Sequence, residues 1–205
     1  LEITRIRMLR GPNLWSRHTA LEAIVSCEES ERSIDSIPQF ETKIRARFPQ
    51  LGSMRRGGHN ELLSLAHALE HAALGLQAQA GCPVTFSRTV QTIEPGVYQV
   101  VAEYIEEVVG RMAFDFAFAL IQATLNDAPF DLAAALSELD ALYEDVRLGP
   151  STGSIVDAAV QRNIPFRRMT EGSMVQFGWG SKQKRIQAAE TSDTSAIAEA
   201  IAQDK

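Results

Sequence analysis

Two long stretches carry apolar residues at helical spacing and set the pattern of the chain. In Asn60–Ala80, the residues Leu62, Leu65, Ala66, Leu69, Ala73 and Leu76 fall on one stripe. Asn60 is placed to cap that helix at its start and Gly81 to end it. Glu106–Asn126 is apolar almost all round, with Phe114, Phe116, Phe118, Leu120 and Ile121, and is expected at the centre of the fold. A shorter helix is expected from Pro38 to Arg47, and a more exposed one over Asp131–Val146.

Between these stretches the period changes to that of strands. Residues 1–9 alternate aliphatics with Arg5 and Arg7, and Leu21–Cys27 is a short apolar run. Pro83–Thr89 and Gly96–Glu103 follow the first long helix. In the latter both faces are largely apolar, which predicts an inner strand of a covered sheet. Arg10–Asn13 (RGPN) and Gly52–Gly58 are turn and loop chemistry.

Leu148–Ser151 (LGPS) is the best domain boundary, dividing residues 1–147 from 148–205. Ser151 or Thr152 is expected to cap a helix through Arg162, with N-capping preferred to anion binding at that end. Strands are then expected over Pro165–Met169, Met174–Phe177 and Lys184–Ala188, and a helix over Ser195–Gln203. The fold class is therefore α+β: two long helices on a small sheet, followed by an incomplete α/β segment.

Composition narrows the class without naming a function. The 205 residues are 45% apolar and 22% charged, as in an ordinary globular protein able to bury a core without metals or disulfides. Cys27 and Cys82 are far apart and read as small buried hydrophobes, in keeping with a reducing cytoplasm. No signal-peptide h-region opens the chain, and no continuous apolar run approaches the ~18 residues of a membrane span. Net charge is −6 and sits in residues 1–148, which argues against nucleic acid as the main partner.

The one string of metal-ligand type is His67-Ala68-Leu69-Glu70-His71, on the first long helix. Spacing i, i+4 brings the two imidazoles to about 5–6 Å at their β-carbons. Two such residues can clamp Zn²⁺, with Glu70 acting on a bound water. A catalytic zinc usually needs three protein ligands, and Glu103 or Glu107 is the nearest substitute for the third. The reading preferred from the residues is a pair of hydrogen-bonded histidines. Gly178-Trp179-Gly180-Ser181-Lys182 lacks the spacing of a phosphate loop and is expected to be a tight hairpin.

Several blocks, in order and spread over nearly the whole chain, resemble the cyanophycin synthetases. They are RGPNLW (Arg10–Trp15), GLQAQAGCPVTFSRT (Gly75–Thr89), PGVYQVVAEY (Pro95–Tyr104), LGPST (Leu148–Thr152) and VQFGWGSKQKRIQAA (Val175–Ala189). The resemblance implies a ligase that polymerises aspartate and arginine at the expense of ATP and Mg²⁺. One ATP-grasp domain adds aspartate to the backbone, and a Mur-ligase-like domain adds arginine to its side chain. On this reading residues 1–147 hold the polymer, and 148–205 open the ATP-grasp domain of a larger, cytoplasmic, homo-oligomeric synthetase.

No cofactor is expected in this stretch itself. Arg10, Arg88 and Arg111 are candidates to pair with polymer carboxylates, and Glu103, Glu106 and Glu107 with its arginyl groups. Some members of the family are thought to cut the polymer at a metal site in this domain, with an acid one turn after the second histidine. Here that position is Gly75. The alternatives to a polymer-holding domain are thus a zinc hydrolase built on His67, Glu70 and His71, or a purely structural part.

Overall fold

A computed structural model describes residues 1–52, 54, 63–188 and 190–195. It has two compact units. The first comprises Leu1–Leu9 with Thr19–Asp145, and the second Arg10–His18 with the chain from Val146 onward. The RGPN turn thus belongs to the second unit.

The first unit is built on a four-stranded antiparallel sheet in the order β1-β2-β4-β3. Its strands are β1 (Glu2–Leu9), β2 (Ala20–Ser26), β3 (Ser87–Gln91) and β4 (Val97–Glu103). As its two-sided pattern predicts, β4 lies inside the sheet. One face, made by Leu21, Ala23, Val25, Tyr98, Val100 and Ala102, is buried. The other is only partly covered: Arg7 and Glu22 pair across it, and Gln99 is half-buried. The expectation of a sheet covered on both sides therefore holds for one face only.

Two helices supply the core. Helix α2 (Leu65–Gln79) packs on β3 and β4, and α3 (Glu107–Leu125) packs along α2. Their buried faces are rich in small residues, Ala66, Ala68, Ala72 and Ala73 on one and Gly110, Ala113 and Ala117 on the other. Leu65, Leu69, Leu76, Phe114, Leu120 and Ile121 fill the remaining space with no exposure. Full burial of each such side chain contributes about 1.5–3 kcal/mol.

By length and composition α3 would suffice to cross a membrane, although no unbroken apolar run signals it. Its buried side lies on α2, and its outer side carries an Arg111–Asp115 ion pair, which is the arrangement of a core helix. Helices α1 (Phe40–Arg47) and α4 (Leu132–Val146) complete the unit.

The start of α2 differs from expectation. Leu63 and Ser64 are not helical, so the helix begins at Leu65. Ser64, in extended geometry, is the N-cap, and Asn60 and Leu62 lie outside the described residues. Gly81 ends α2 as predicted, at φ +80°.

The second unit holds α5 (Pro150–Gln161) and an antiparallel meander of β5 (Phe166–Arg168), β6 (Met174–Phe177), β7 (Lys184–Gln187) and β8 (Glu190–Thr191). The helix and the strands β5, β6 and β7 lie where the sequence placed them, and the strands form an antiparallel meander with the added β8. Short links of turn residues allow only antiparallel return, because a parallel pair needs a long crossover. Gly149, not Ser151 or Thr152, is the N-cap of α5, with Pro150 at its first position. Thr152 is buried and Ser151 exposed. Gly178–Lys182 is the predicted hairpin, with a single 3₁₀ turn at Gly180–Lys182 between β6 and β7. Trp179 of that hairpin packs against Gly11. The helix expected over Ser195–Gln203 lies, past its first residue, outside the described residues.

Candidate functional site

The first unit contains a cavity of about 910 Å³ between the amino-terminal half of α2 and the outer strand β3. That volume lies within the usual range of ligand sites, about 300–1,000 Å³. Helix α2 contributes His67, Glu70 and His71, and the opposite wall is the continuous run Thr85–Gln91, with Arg32 and Tyr98 completing it. The cavity therefore carries both signs of charge.

The histidine pair is where the sequence places it, on one face of α2 and half-buried. Its chemistry is set by the helix start. The backbone N–H of Ser64 donates to Nδ1 of His67 at 3.1 Å, and the Ser64 hydroxyl lies 2.9 Å from the same nitrogen. This is a capping box with His67 in the third helical position. A neutral imidazole that accepts at Nδ1 carries its proton on Nε2. That nitrogen then has no lone pair to give a metal. The ring also meets Tyr98 edge-on, with centroids 5.9 Å apart. Among the described residues no three His, Cys, Asp or Glu side chains come together to hold a metal ion. The described donors alone therefore do not make up the three-ligand set of a catalytic zinc.

Glu103 does not complete such a site. It is 3% exposed, and its Oε2 accepts the backbone N–H groups of Thr85 and Phe86, each at 2.9 Å. Its carboxylate thus serves the two amides that lead into β3. The carbonyl of Glu103 accepts from Nε2 of Gln77 at 2.9 Å, and Gln77 is itself buried. Glu103 is a joint between α2, β3 and β4, with its carboxylate buried among them.

The remaining candidates are dispersed. Arg88 lines the cavity from β3. Arg111 lies on the outer side of α3, with Nε 3.0 Å from Asp115 Oδ2. Glu107 is the first residue of α3, preceded by Glu106 as N-cap, so both acids sit where the helix dipole favours them. Arg10 belongs to the second unit. Arg32 and Tyr98 escaped the sequence reading. Arg32 lies in a polar stretch without periodicity, and only tertiary structure brings it to the cavity. The thiols are inert: both are buried, and burial pushes Cys82 up to about 12 and Cys27 upward too.

A model of the cyanophycin synthase-like N-terminal domain family matches residues 22–126, which run from β2 to the end of α3. The chain is 36% identical over 220 aligned positions to a cyanophycin synthetase of Geminocystis herdmanii, covering 100% of this chain and 25% of that protein. It is 35% identical to those of Trichormus variabilis and Synechocystis, again along its whole length and over 24% and 25% of theirs. The second unit is therefore shared with these relatives as well. The chain spans about a quarter of the length of the curated relatives it matches. The family match covers half of the sequence, including most of β2, all of β3 and β4 and the residues of α2 and β3 that line the cavity, and the chain belongs to the cyanophycin synthase-like N-terminal domain family.

Proposed function

We propose that this chain is the amino-terminal part of an ATP-dependent ligase that builds an aspartate–arginine polymer. Its first unit holds the polymer in the cavity between α2 and β3. The observation that carries this reading is a cavity of ligand-site volume lined by the guanidinium-bearing Arg32 and Arg88. An arginine joined through its amine to an aspartyl side chain keeps a carboxylate and a guanidinium. The carboxylate of such a side chain finds a counterpart in those two guanidinium groups. The second unit supports the ATP-grasp domain of the parent enzyme, where ATP and Mg²⁺ act.

The test is a titration of the 205-residue chain with a soluble Asp–Arg oligomer. Arg88→Ala is expected to weaken binding about tenfold, close to 1.4 kcal/mol. Arg111→Ala, whose guanidinium is engaged by Asp115 outside the cavity, is expected to leave it unchanged. Salt is expected to weaken binding, since such contacts are screened beyond ~8 Å at physiological ionic strength. Equal effects of the two substitutions would remove the cavity from the account.

The hydrolase reading is disfavoured by the engagement of His67 at the cap of α2. We expect zinc to remain well below one equivalent per chain after dialysis, and His71→Ala to change neither that content nor polymer length. One retained zinc that is lost in His71→Ala would reverse this choice.

A further inference from the structure

Gly96 closes the turn between β3 and β4. The N–H of Val97 donates to the carbonyl of Glu94 at 3.1 Å, so Pro95 and Gly96 hold the two central positions of a β-turn. Gly96 has φ +86°. That conformation suits glycine, but asparagine adopts it as well. What excludes any side chain is Arg32. A Cβ on Gly96 would stand 2.6 Å from both Nε and Nη2 of Arg32, and 2.8 Å from its Cζ. Three nearly equal distances mean that the plane of the guanidinium faces the Cα of Gly96. The glycine is buried, although Ile93, Glu94 and Pro95 before it are exposed.

Arg32 is held from a second side. Its Nε is directed at the Cys27 carbonyl, 3.5 Å away. Cys27 is in turn tied to the turn, its N–H donating to the Gly96 carbonyl at 2.8 Å. The guanidinium, the end of β2 and the β3–β4 turn thus close on one another. The end of a long side chain is thereby set in one orientation in the wall of the cavity. With Nε turned to Cys27, the fork of Nη1 and Nη2 is the pair that meets a carboxylate through two parallel bonds. Fixing that fork beforehand lowers the ordering cost of binding.

We propose that Gly96 is a positioning residue: its bare Cα seats the guanidinium of Arg32, and Arg32 so seated selects the carboxylate of the polymer's arginyl side chains. This rests on the reading that the first unit holds the polymer. Gly96 acts only through Arg32. The pair therefore sets a preference for arginine over decarboxylated arginine (agmatine) on the polymer, since agmatine keeps the guanidinium and lacks the carboxylate.

The test titrates the 205-residue chain with two Asp–Arg oligomers of equal length, one unmodified and one carrying agmatine in place of every arginine. The parent is expected to bind the unmodified oligomer more tightly. Gly96→Asn keeps the positive φ and puts a side chain where the guanidinium lies. It is expected to reduce the preference about tenfold, as is Arg32→Ala, with the double variant no worse than Arg32→Ala alone. Arg32→Lys keeps the charge but has neither the plane nor the fork, and is expected to lose the preference likewise. A merely structural role would weaken both oligomers alike. If Gly96→Asn alone does not fold, adding Arg32→Ala is expected to restore the fold by removing the obstructing group. Failure of that rescue would overturn the seat. Equal binding of both oligomers by the parent, an unchanged preference in Gly96→Asn or Arg32→Lys, or losses that add in the double variant would also overturn it, leaving polymer holding intact. Binding of neither oligomer by the parent would remove polymer holding itself, and this proposal with it.

Discussion

Replacing Gly110 by alanine is expected to destabilise the first unit by about 3 kcal/mol, although alanine is the better helix former. The position lies in the first turns of α3 and is buried. A Cβ there would stand 2.5 Å from Tyr104 Cβ and 3.1 Å from its Cγ. A Cβ cannot rotate away, since its place is set by the backbone. The backbone of Tyr104 is held by the residue preceding β2: its amide donates to the Thr19 carbonyl, and the Thr19 hydroxyl donates to the Tyr104 carbonyl. Relief therefore requires α3 to move off α2, where alanines make a close-packed seam. The propensity gain of about 1 kcal/mol does not offset that. Gly75→Ala is the control. Its Cβ would meet the Phe48 ring edge at 3.3 Å, and a ring edge can shift by tenths of an ångström. Chemical denaturation that finds the two substitutions equivalent would refute the packing assigned to Gly110.

These two glycines also mark how far the sequence could be read. A glycine in the middle of the Asn60–Ala80 pattern implies a close neighbour, and the structure supplies Phe48 and Leu51. Periodicity identified α2 and α3 because each buries one broad stripe, and it identified β4 because both of its faces are apolar. The start of α2 was misplaced because Ser64 and Asn60 are equally good caps on paper. What decides is His67, three residues after Ser64 and able to return the hydrogen bond. That pairing also changes the meaning of the histidine string. Spacing alone cannot say whether a ring nitrogen faces a metal or an amide. In the second unit three strands were legible from their apolar runs between turns, whereas β8, only two residues long, carries no pattern of its own. Arg32 and the edge of β3 carry no local signal, since their place in the cavity depends on sheet order.

The residue that best separates architecture from site is Glu103. Glu103→Ala is expected to lower stability by about 2–4 kcal/mol, because it strips the acceptor from two amides and leaves a buried void. Those amides, of Thr85 and Phe86, lead directly into β3, which lines the cavity. Glu103→Gln keeps the shape and one acceptor oxygen but loses the charge, and is expected to cost about half as much, since hydrogen bonds to charged groups are the stronger ones. Polymer affinity of the folded Gln variant is expected to stay within about twofold of the parent, as the carboxylate is buried away from the cavity. Denaturation curves and oligomer titrations on the two variants decide the matter. If Glu103→Ala keeps the stability of the parent and loses the polymer, the carboxylate is a binding group. The joint between α2, β3 and β4 must then be held by something else.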